Sequence, residues 1–432
     1  MRERRESAVS ERRDRAVGAE RSRPQNRVAR DRLRDVSDPM VIDLGDPALW
    51  QDPYPHYARA RDQHRVAHST AGEVMLLSAD DLDLVHTHPA FAQPGLRALE
   101  RLGMHDGPFY EWRRLTMPAH DGPVHERLRG AVVRAFTPRR VEPLRAELRA
   151  HARAVLGELR DRESFDVVAD YADDLPLWLI CRFLGLPVEA RTEIATFLAG
   201  TEAGFVDPLT PERRRVAEDG IVALYAYVEL LIAARVTDPQ DDIVSDLLEA
   251  EADGRMSRDE LVALVVNVLG GAIGSSRAAI ANSILLLLSH PEQAAWVREA
   301  CDERLSPAIE ECLRFHPPFR TGRKLVVDDN DVFGVPLRAG DTVFLARQAA
   351  NRDPQRWDDP DRFDVARPPE RHFSFGYGPH FCLGQALARL DVQEAVRAFL
   401  DEMPRARLIT VEPRRVPFTP DEQLEQLLVA PN

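Results

Sequence analysis

The sequence contains few cysteines, and they lie far apart. Its 432 residues include four. Their positions fit neither the close spacing of a zinc finger nor the density of a secreted disulfide scaffold. We therefore expect reduced thiols and a cytoplasmic protein. The four residues are Cys181, Cys301, Cys312 and Cys382.

Long apolar runs and an excess of basic residues are also absent. The best apolar candidate, SILLLLSH at 283–290, is a fraction of the roughly 20 residues that cross a bilayer. Lysine and arginine total 57 against 71 aspartate and glutamate, a net charge of −14. This balance argues against a protein whose main activity is nucleic-acid binding. We predict a soluble protein that binds neither membrane nor nucleic acid.

Residues 1–39 differ from the rest of the chain because arginines and acids dominate them. Such a segment has too few large apolar side chains to bury a core, so we expect a disordered extension. It lacks the apolar stretch of a secretory signal and is too acidic for a transit peptide. An upstream start codon chosen in error, or a regulatory docking tail, are the alternatives. Residues 40–432 show no repeat and no Gly/Ser linker, which predicts a single domain.

Apolar residues three and four apart dominate residues 40–432, which predicts a mainly α fold with small β-sheets. The longest such segment, 257–289, opens with Ser257 and Glu260 in the pattern of a capping box. We expect a central helix there, with small residues in its middle. The predicted helices are 138–160, 174–185, 213–236, 257–289 and 383–402, and the predicted strands are EVMLLS (73–78), KLVV (324–327), FGVPL (333–337) and DTVFLA (341–346).

The stretch FGYGPHFCLG, residues 375–384, places three glycines and a proline around one cysteine. A thiolate that binds iron must remain deprotonated and accept backbone N–H bonds, so the chain has to wrap tightly around the sulfur. Glycines permit that wrapping, and the helix predicted to follow directs its positive end at the sulfur. A lone buried cysteine is usually a small core residue, but this sequence context indicates a metal ligand.

This stretch resembles the heme-binding loop of the cytochrome P450 family, F-x-x-G-x-H-x-C-x-G. EECLR at 310–314 is similar to the family's E-x-x-R, and PDRF at 360–363 is similar to the motif with the third member of its Glu-Arg-Arg triad. DGPVHERLR at 121–129 is similar to the H-x-x-x-R of the helix that contacts heme. The resemblance covers residues 40–432 and implies the cytochrome P450 fold, with a long central helix over the heme. The matching loop residues are Phe375, Gly378, His380, Cys382 and Gly384.

The resemblance also implies roles for single residues. Cys382 would be the axial thiolate of heme b (iron protoporphyrin IX), whose electron donation favours O–O cleavage. Carboxylates drawn into a protein need charged or hydrogen-bonded partners. The implied partners of the two heme propionates are His125, Arg129, Arg323 and His380. The implied buried ionic network, a folding element, is Glu311, Arg314 and Arg362.

The central helix departs from the family pattern. Counting back from SHPEQ at 289–293, the family's A-G-x-[DE]-T-[TS] falls on residues 271–276. Gly274 stands where the acid belongs and Ser275 where the threonine belongs. The carboxylate that helps to relay protons to dioxygen therefore has no direct counterpart, although the Ser275 hydroxyl can still bind oxygen or a water chain.

Three functions follow from the resemblance. The first is a monooxygenase that uses O2, two electrons from a separate ferredoxin and ferredoxin reductase, and a small organic substrate of specialised metabolism. The second is a peroxide-using or atypical oxidase for coupling, cyclisation or desaturation, for which a proton relay matters less. The third is a non-enzymatic heme sensor. We expect a monomer, with a basic patch for the ferredoxin or an ordinary solvated helix face at Arg127, Arg134, Arg139 and Arg140.

By position, an apolar substrate pocket with one cation is predicted, which favours a substrate with an aromatic or aliphatic body and a carboxylate facing Arg320. Core packing could account for any of the aromatic residues singly. The expected lining residues are Phe109, Tyr110, Ala272, Ile273, Phe319, Arg320 and Phe418.

Overall fold

A computed structural model describes residues 40–205 and 209–431. The predictions for residues 1–39 lie outside this described part. From Met40 onward the chain forms one compact unit. Helices dominate it, and two small sheets lie beside them, which confirms the predicted fold class.

The described residues form the following α-helices: α1 Pro47–Gln51, α2 Tyr54–Gln63, α3 Ala79–Thr87, α4 Arg97–Arg101, α5 Pro108–Leu115, α6 Gly122–Val132, α7 Pro138–Val141, α8 Leu144–Leu159, α9 Asp174–Leu184, α10 Arg191–Glu202, α11 Pro211–Thr237, α12 Ile243–Ala252, α13 Arg258–Ser289, α14 Pro291–Glu299, α15 Cys301–Phe315, α16 Arg347–Asn351 and α17 Gln385–Glu402.

The strands belong to two sheets. The larger sheet has the order β1-β2-β3-β7-β6-β4, so strands from the two ends of the unit are paired. β3 runs parallel to β7, whereas β6 and β7 are antiparallel. The smaller sheet has the order β5-β9-β8. The strands are β1 Val41–Ile42, β2 Val66–Ser69, β3 Val74–Leu76, β4 Phe91–Ala92, β5 Phe165–Asp166, β6 Thr321–Val326, β7 Thr342–Ala346, β8 Arg407–Leu408 and β9 Leu428–Ala430.

Helix α13 is the central element of the helical layer. The Ser257 side chain accepts from the Glu260 backbone N–H, and the Glu260 carboxylate accepts from the Ser257 N–H, which confirms the capping box. At about 1.5 Å per residue the helix is roughly 48 Å long. Its second half is buried almost all round, and it packs against α9, α11 and α17.

Two predicted elements differ in the structure. The helix expected over 138–160 is divided into α7 and α8, because Pro143 has no backbone N–H to continue the first helix and instead precedes the first residue of the second. The expected strand at 333–337 is a turn. Gly334 has φ 81° there, and only Leu337 forms an isolated bridge, with Asn330.

Two helices come closer to the length and composition of a membrane span than the short apolar run at 283–290 suggested. α11 and α13 have the length and composition of a membrane span, and 33% and 56% of their most apolar windows are buried inside the protein. The same test is passed by the core helices of soluble proteins, so length and composition do not discriminate between the two situations.

Candidate functional site

Residues 375–384, the thiolate loop, turn tightly around Cys382. Gly376 and Gly378 have φ of 71° and 74°, a region in which side chains are strained. A Cβ on Gly378 would also lie 2.9 Å from the backbone oxygen of His86. The Cys382 N–H donates to the Phe375 carbonyl at 2.9 Å, which closes the loop.

The surroundings of the Cys382 sulfur act on its charge in opposite directions. Burial raises the pKa of the thiol, while the Gly384 backbone N–H and three arginines lower it. Gly384 has an ordinary φ of −83° at the start of α17. Among the described residues, a Cβ on Gly384 would meet the Phe136 ring at the ordinary contact distance of 3.8 Å, so the wrapping does not depend on a glycine at this position. The three arginines are Arg129, Arg347 and Arg389.

Two histidine rings meet beside the loop. The centroids of His125, on α6, and His380 are 4.0 Å apart. The His380 Nε2 is 2.7 Å from the Asp121 carboxylate, whereas the His125 Nε2 is buried without a hydrogen-bond partner among the described residues. Burial first, and then the charges of His380 and Arg129, lower the pKa of His125 to about 4. Arg129 also fastens α6 to the loop, because its Nη2 donates to the Phe381 carbonyl at 2.8 Å.

Strand β6 does not present Arg323 to this site. Arg323 is exposed and donates to the Glu73 carboxylate at 2.9 Å, so the expected propionate contact is not supported. Neighbouring residues on a strand point to opposite faces, and the next residue, Lys324, is buried. Burial lowers the pKa of Lys324, and Asp121 beside the loop opposes this shift. Lys324 is therefore the cation that β6 directs inward.

Arg347, at the first residue of α16, is a second cation that the sequence analysis missed. Its Nε is buried without a partner among residues 40–205 and 209–431. Its guanidinium lies 4.9 Å from the Phe319 ring centroid, and an Nη lies 3.9 Å from the position that a Cβ on Gly376 would take. Carboxylates would satisfy both orphaned nitrogens, those of His125 and Arg347. The residues present therefore fit a heme, with Cys382 as its thiolate ligand.

The buried ionic network forms with a different third member. Arg314 donates to both Glu311 oxygens, at 2.7 and 2.8 Å, and both residues are buried. The third member is Arg367, whose Nε donates to Glu311 at 3.3 Å. The prediction for Arg362 is corrected, because its side chain is 65% exposed and pairs with Asp364.

One side of the middle of α13 is open. A Cβ on Gly271 would meet no heavy atom of the described residues within 4 Å outside its own helix backbone, and Ser275, one turn later, is half-buried. Residues four apart share a helix face, so the Ser275 hydroxyl belongs to this open side. Gly274 is buried and contacts the loop between β8 and β9, where a Cβ would lie 2.8 Å from the Asp421 carboxylate.

Some of the expected pocket residues are engaged in contacts within the protein, and others lie near the open side of α13 or near Arg347. Phe109 is fully buried against Trp112, with ring centroids 5.1 Å apart, and its role is core packing. The Tyr110 hydroxyl donates to Glu100 at 3.0 Å. The residues that remain near the open side of α13, or near Arg347, are Ala272, Ile273 and Phe319.

Arg320 and Phe418 hold the C-terminal loop rather than lining the pocket. Arg320 is 0% exposed, and its guanidinium donates to the carbonyls of Val416 and Thr419 at 2.7 and 3.1 Å. Its charge is thus engaged by the protein itself. Phe418 has φ 61°, is 47% exposed and packs edge-on against Trp50 at 6.1 Å.

Comparisons with known proteins agree with this site. The family model described as Cytochrome P450 matches residues 204–403. The chain is similar to cytochrome P450 monooxygenase PikC of Streptomyces venezuelae, with 33% identity over 92% of this chain and 95% of the relative. It is also similar to 6-deoxyerythronolide B hydroxylase of Saccharopolyspora erythraea, with 36% identity over 68% and 72% of the two chains.

Solved structures give the same result for the fold. The crystal structure of CalO2 superposes with a TM-score of 0.85 and 30% identity, covering 90% of this chain and 98% of that one. The epothilone B-bound structure of P450epoK superposes with a TM-score of 0.83 and 26% identity, covering 90% and 99%.

The thiolate loop, the two adjacent histidine rings and the open side of the central helix thus occur in a chain that aligns along most of its length with named monooxygenases and hydroxylases. It is an enzyme of the heme-thiolate class. The chain belongs to the cytochrome P450 family.

Proposed function

We propose that this cytochrome P450 inserts one atom of O2 into a small organic substrate of specialised metabolism, with electrons from a separate ferredoxin and its reductase. The supporting observation is that the chain has both a tightly wrapped Cys382 loop and an open side of α13 at Gly271 and Ser275. A thiolate ligand and a space over the helix are what such chemistry requires. The proposed cofactor is heme b, and the proposed location is the cytoplasm.

The chain's own residues have separate tasks in this proposal. A thiolate-ligated heme supplies O2 activation when it is bound. His125, Arg129, His380, Lys324 and Arg347 would hold its propionates, since each places a donor or a positive charge beside the thiolate loop. Ser275 would hold water or oxygen at its hydroxyl.

The substrate proposal is narrower than the sequence suggested. Relatives are named for 6-deoxyerythronolide B, for cyclomarin C and for vitamin D(3), so their names do not converge on one compound. We propose an apolar body packed near Ala272, Ile273 and Phe319. A substrate carboxylate facing Arg320 is no longer proposed, because that guanidinium already donates to backbone carbonyls.

Ferredoxin docking is proposed beside α6. An open recess of about 470 Å³ lies there, lined by residues of α6 and by Gly378 and Pro379 of the thiolate loop. Two of the four expected arginines are neutralised, since Arg127 pairs with Glu260, and Arg140 with two aspartates. Arg134 and Arg139 are exposed and remain for an acidic partner.

The test compares two oxidants on the purified holoenzyme. Candidate substrates are first ranked by the shift that they cause in the heme spectrum. Product formation is then measured with NADH, a ferredoxin and its reductase, and separately with hydrogen peroxide alone. Product only in the first assay supports the monooxygenase. Product only with peroxide supports the peroxide-using oxidase, which the glycine at 274 favours, and product in neither favours a sensor.

A further inference from the structure

Position 274 of α13, where the family pattern has an acid, is contacted by an acid from another part of the chain. Asp421 lies in the C-terminal loop, defined here as residues 409–427 between β8 and β9. Its Oδ2 lies 2.8 Å from the point where a Gly274 Cβ would be, and the Gln423 Nε2 lies 3.5 Å from that point. No other residue type fits at 274 without moving the carboxylate. The glycine therefore makes room for Asp421.

The backbone around Asp421 is held in place on both sides. Asp421 forms a bridge with Phe319, the Arg320 N–H donates to the Pro420 carbonyl at 2.9 Å, and the Glu422 N–H donates to the Pro318 carbonyl at 2.9 Å. These bonds fix the loop against the segment that precedes β6. The carboxylate is thus positioned by the fold rather than by a flexible tip.

Glu422 anchors the next position from inside the protein. It is 0% exposed, and its carboxylate accepts from Gln348 at 2.7 Å and pairs with Arg415 at 2.9 Å and with His316 at 2.7 Å. The Asn282 amide on α13 donates to the Glu422 carbonyl at 2.7 Å. Asp421 is therefore attached through its neighbour to the same helix that it contacts.

The Asp421 carboxylate itself has little to neutralise it. Its side chain accepts one long bond, 3.4 Å from Gln423, and it has no ion pair among the described residues. The charged groups that act on it are Glu202 of α10, Arg277 of α13 and Arg320, and Arg347 of α16 also senses it. Burial is the main reason that its pKa is raised to about 6. Such a group can both hold and release a proton near neutral pH.

We propose that Asp421 is the proton-handling carboxyl group of this enzyme, delivered by the C-terminal loop to the position that the central helix leaves empty, with Ser275 passing the proton to the open side of α13. The inference rests on the proposed function. It assigns to Asp421 the proton delivery for which α13 has no carboxylate at position 274.

The protons are required by the overall reaction. Insertion of one oxygen atom consumes a substrate C–H bond, O2, two electrons and two protons, and yields an alcohol and water. The electrons come from NADH through the ferredoxin. Two reactions are possible when substrate is absent. In the first, one NADH, one H⁺ and one O2 give NAD⁺ and H2O2. In the second, two NADH, two H⁺ and one O2 give two NAD⁺ and two H2O. The second course consumes more protons at the site, so it depends more strongly on Asp421.

The contact between Gly274 and Asp421 is tested first, by thermal unfolding and without turnover. Gly274→Ala should lower the melting temperature, because its methyl group meets the carboxylate. In an Asp421→Ala background the same change should leave the melting temperature unchanged or raise it, since alanine favours helix over glycine. A loss of equal size in both backgrounds would mean that the two residues do not touch, and would overturn the proposal.

Turnover is tested next with NADH, a ferredoxin, its reductase and O2, without substrate. Asp421→Asn should slow NADH oxidation about 100-fold, the lower end of the range for loss of a positioned acid. It should also move the ratio of NADH oxidised to O2 consumed from near two toward one. The control Glu425→Gln, an exposed carboxylate in the same loop, should behave like the wild type. Gly274→Asp combined with Asp421→Asn should recover rate and ratio.

A wild-type protein that takes up heme but oxidises no NADH would contradict the proposed function. An active wild type with an unchanged Asp421→Asn variant would overturn only the role of Asp421. If Asp421→Asn instead leaves rate and ratio intact and weakens the spectral response to cationic candidate substrates, Asp421 is a substrate counter-ion and the proton proposal is wrong.

Discussion

At the scale of single residues, two buried nitrogens beside the thiolate loop have no hydrogen-bond partner among the described residues, and they support the proposed heme site together with the cysteine. The His125 Nε2 and the Arg347 Nε are such atoms, and buried polar groups in proteins are almost always satisfied. Both lie close to the thiolate loop. Both nitrogens therefore remain available to bind the propionate carboxylates of the proposed heme.

Cys382→Ala is expected to remove the thiolate signature. The variant should lose the carbon monoxide difference spectrum typical of a thiolate-ligated heme, because no other sulfur lies in the loop. Cys301→Ala, a half-buried cysteine on α15, is the matched control and should keep that spectrum. A Cys382→Ala protein with the full spectrum would disprove the ligand assignment.

Asp391→Asn is expected to make stability less dependent on pH. Asp391, on α17, is fully buried, and burial raises its pKa from 3.8 to about 8, opposed by the Ser276 hydroxyl. The folded protein thus retains a proton that the unfolded chain releases, so the free energy of unfolding falls as pH rises between these values.

Urea unfolding from pH 5 to 8 would measure this. The wild type should lose stability relative to Asp391→Asn as the pH increases, whereas the surface control Asp401→Asn should run parallel to the wild type. Parallel curves for all three proteins would show that Asp391 ionises normally.

Single residues also show what the sequence could not reveal. The motif spacing led to Cys382, His125 and His380 because each follows a fixed local pattern. The prediction of Arg323 was wrong by one position, because Lys324 is the cation that faces inward. Successive residues of a strand face opposite sides, and the motif does not specify the register. Asp421 was missed because no local pattern connects it to Gly274, 147 positions earlier (421 − 274).

At the scale of elements, α15 is fixed to the segment before the thiolate loop by one carboxylate. Glu311 accepts from Arg314 and Arg367, and the Asp364 backbone N–H also donates to it, at 3.0 Å. The sequence indicated a third arginine but not which one. Arg362 and Arg367 are five residues apart in a loop, where no periodicity decides the direction of a side chain.

Arg367→Ala is expected to destabilise the protein by about 1–3 kcal/mol, because it removes one partner of a buried charge. Arg362→Ala should cost at most about 1 kcal/mol, since its ion pair is on the surface. Chemical unfolding of the two heme-loaded variants measures the difference. Equal losses would restore Arg362 as a candidate member of the network.

At the scale of the whole molecule, the net charge of −14 opposes the docking of an acidic ferredoxin. A local positive surface beside α6 has to overcome that repulsion. Arg134 and Arg139 are exposed in the segment that follows α6 in the chain.

Reversing both charges, Arg134→Glu with Arg139→Glu, is expected to raise the KM for ferredoxin about tenfold at low salt and to leave turnover with peroxide unchanged. The difference should shrink as salt is added, because exposed charges are screened. Arg407→Glu on β8 is the control for net charge alone. An equal effect of this control would place docking elsewhere.

The strand order of the larger sheet determines when the enzyme can assemble during its synthesis. Strand β3 cannot pair with β7 until β7 has been synthesised. Likewise, His125 cannot form a site with Cys382 until Cys382 has been synthesised, 257 residues later (382 − 125). At the usual 5–20 residues per second, the first half of the site leaves the ribosome on the order of 10–50 s before the second. During that interval the nascent chain contains His125 and Arg129 but not Cys382, so heme cannot acquire its thiolate ligand until synthesis has passed the loop.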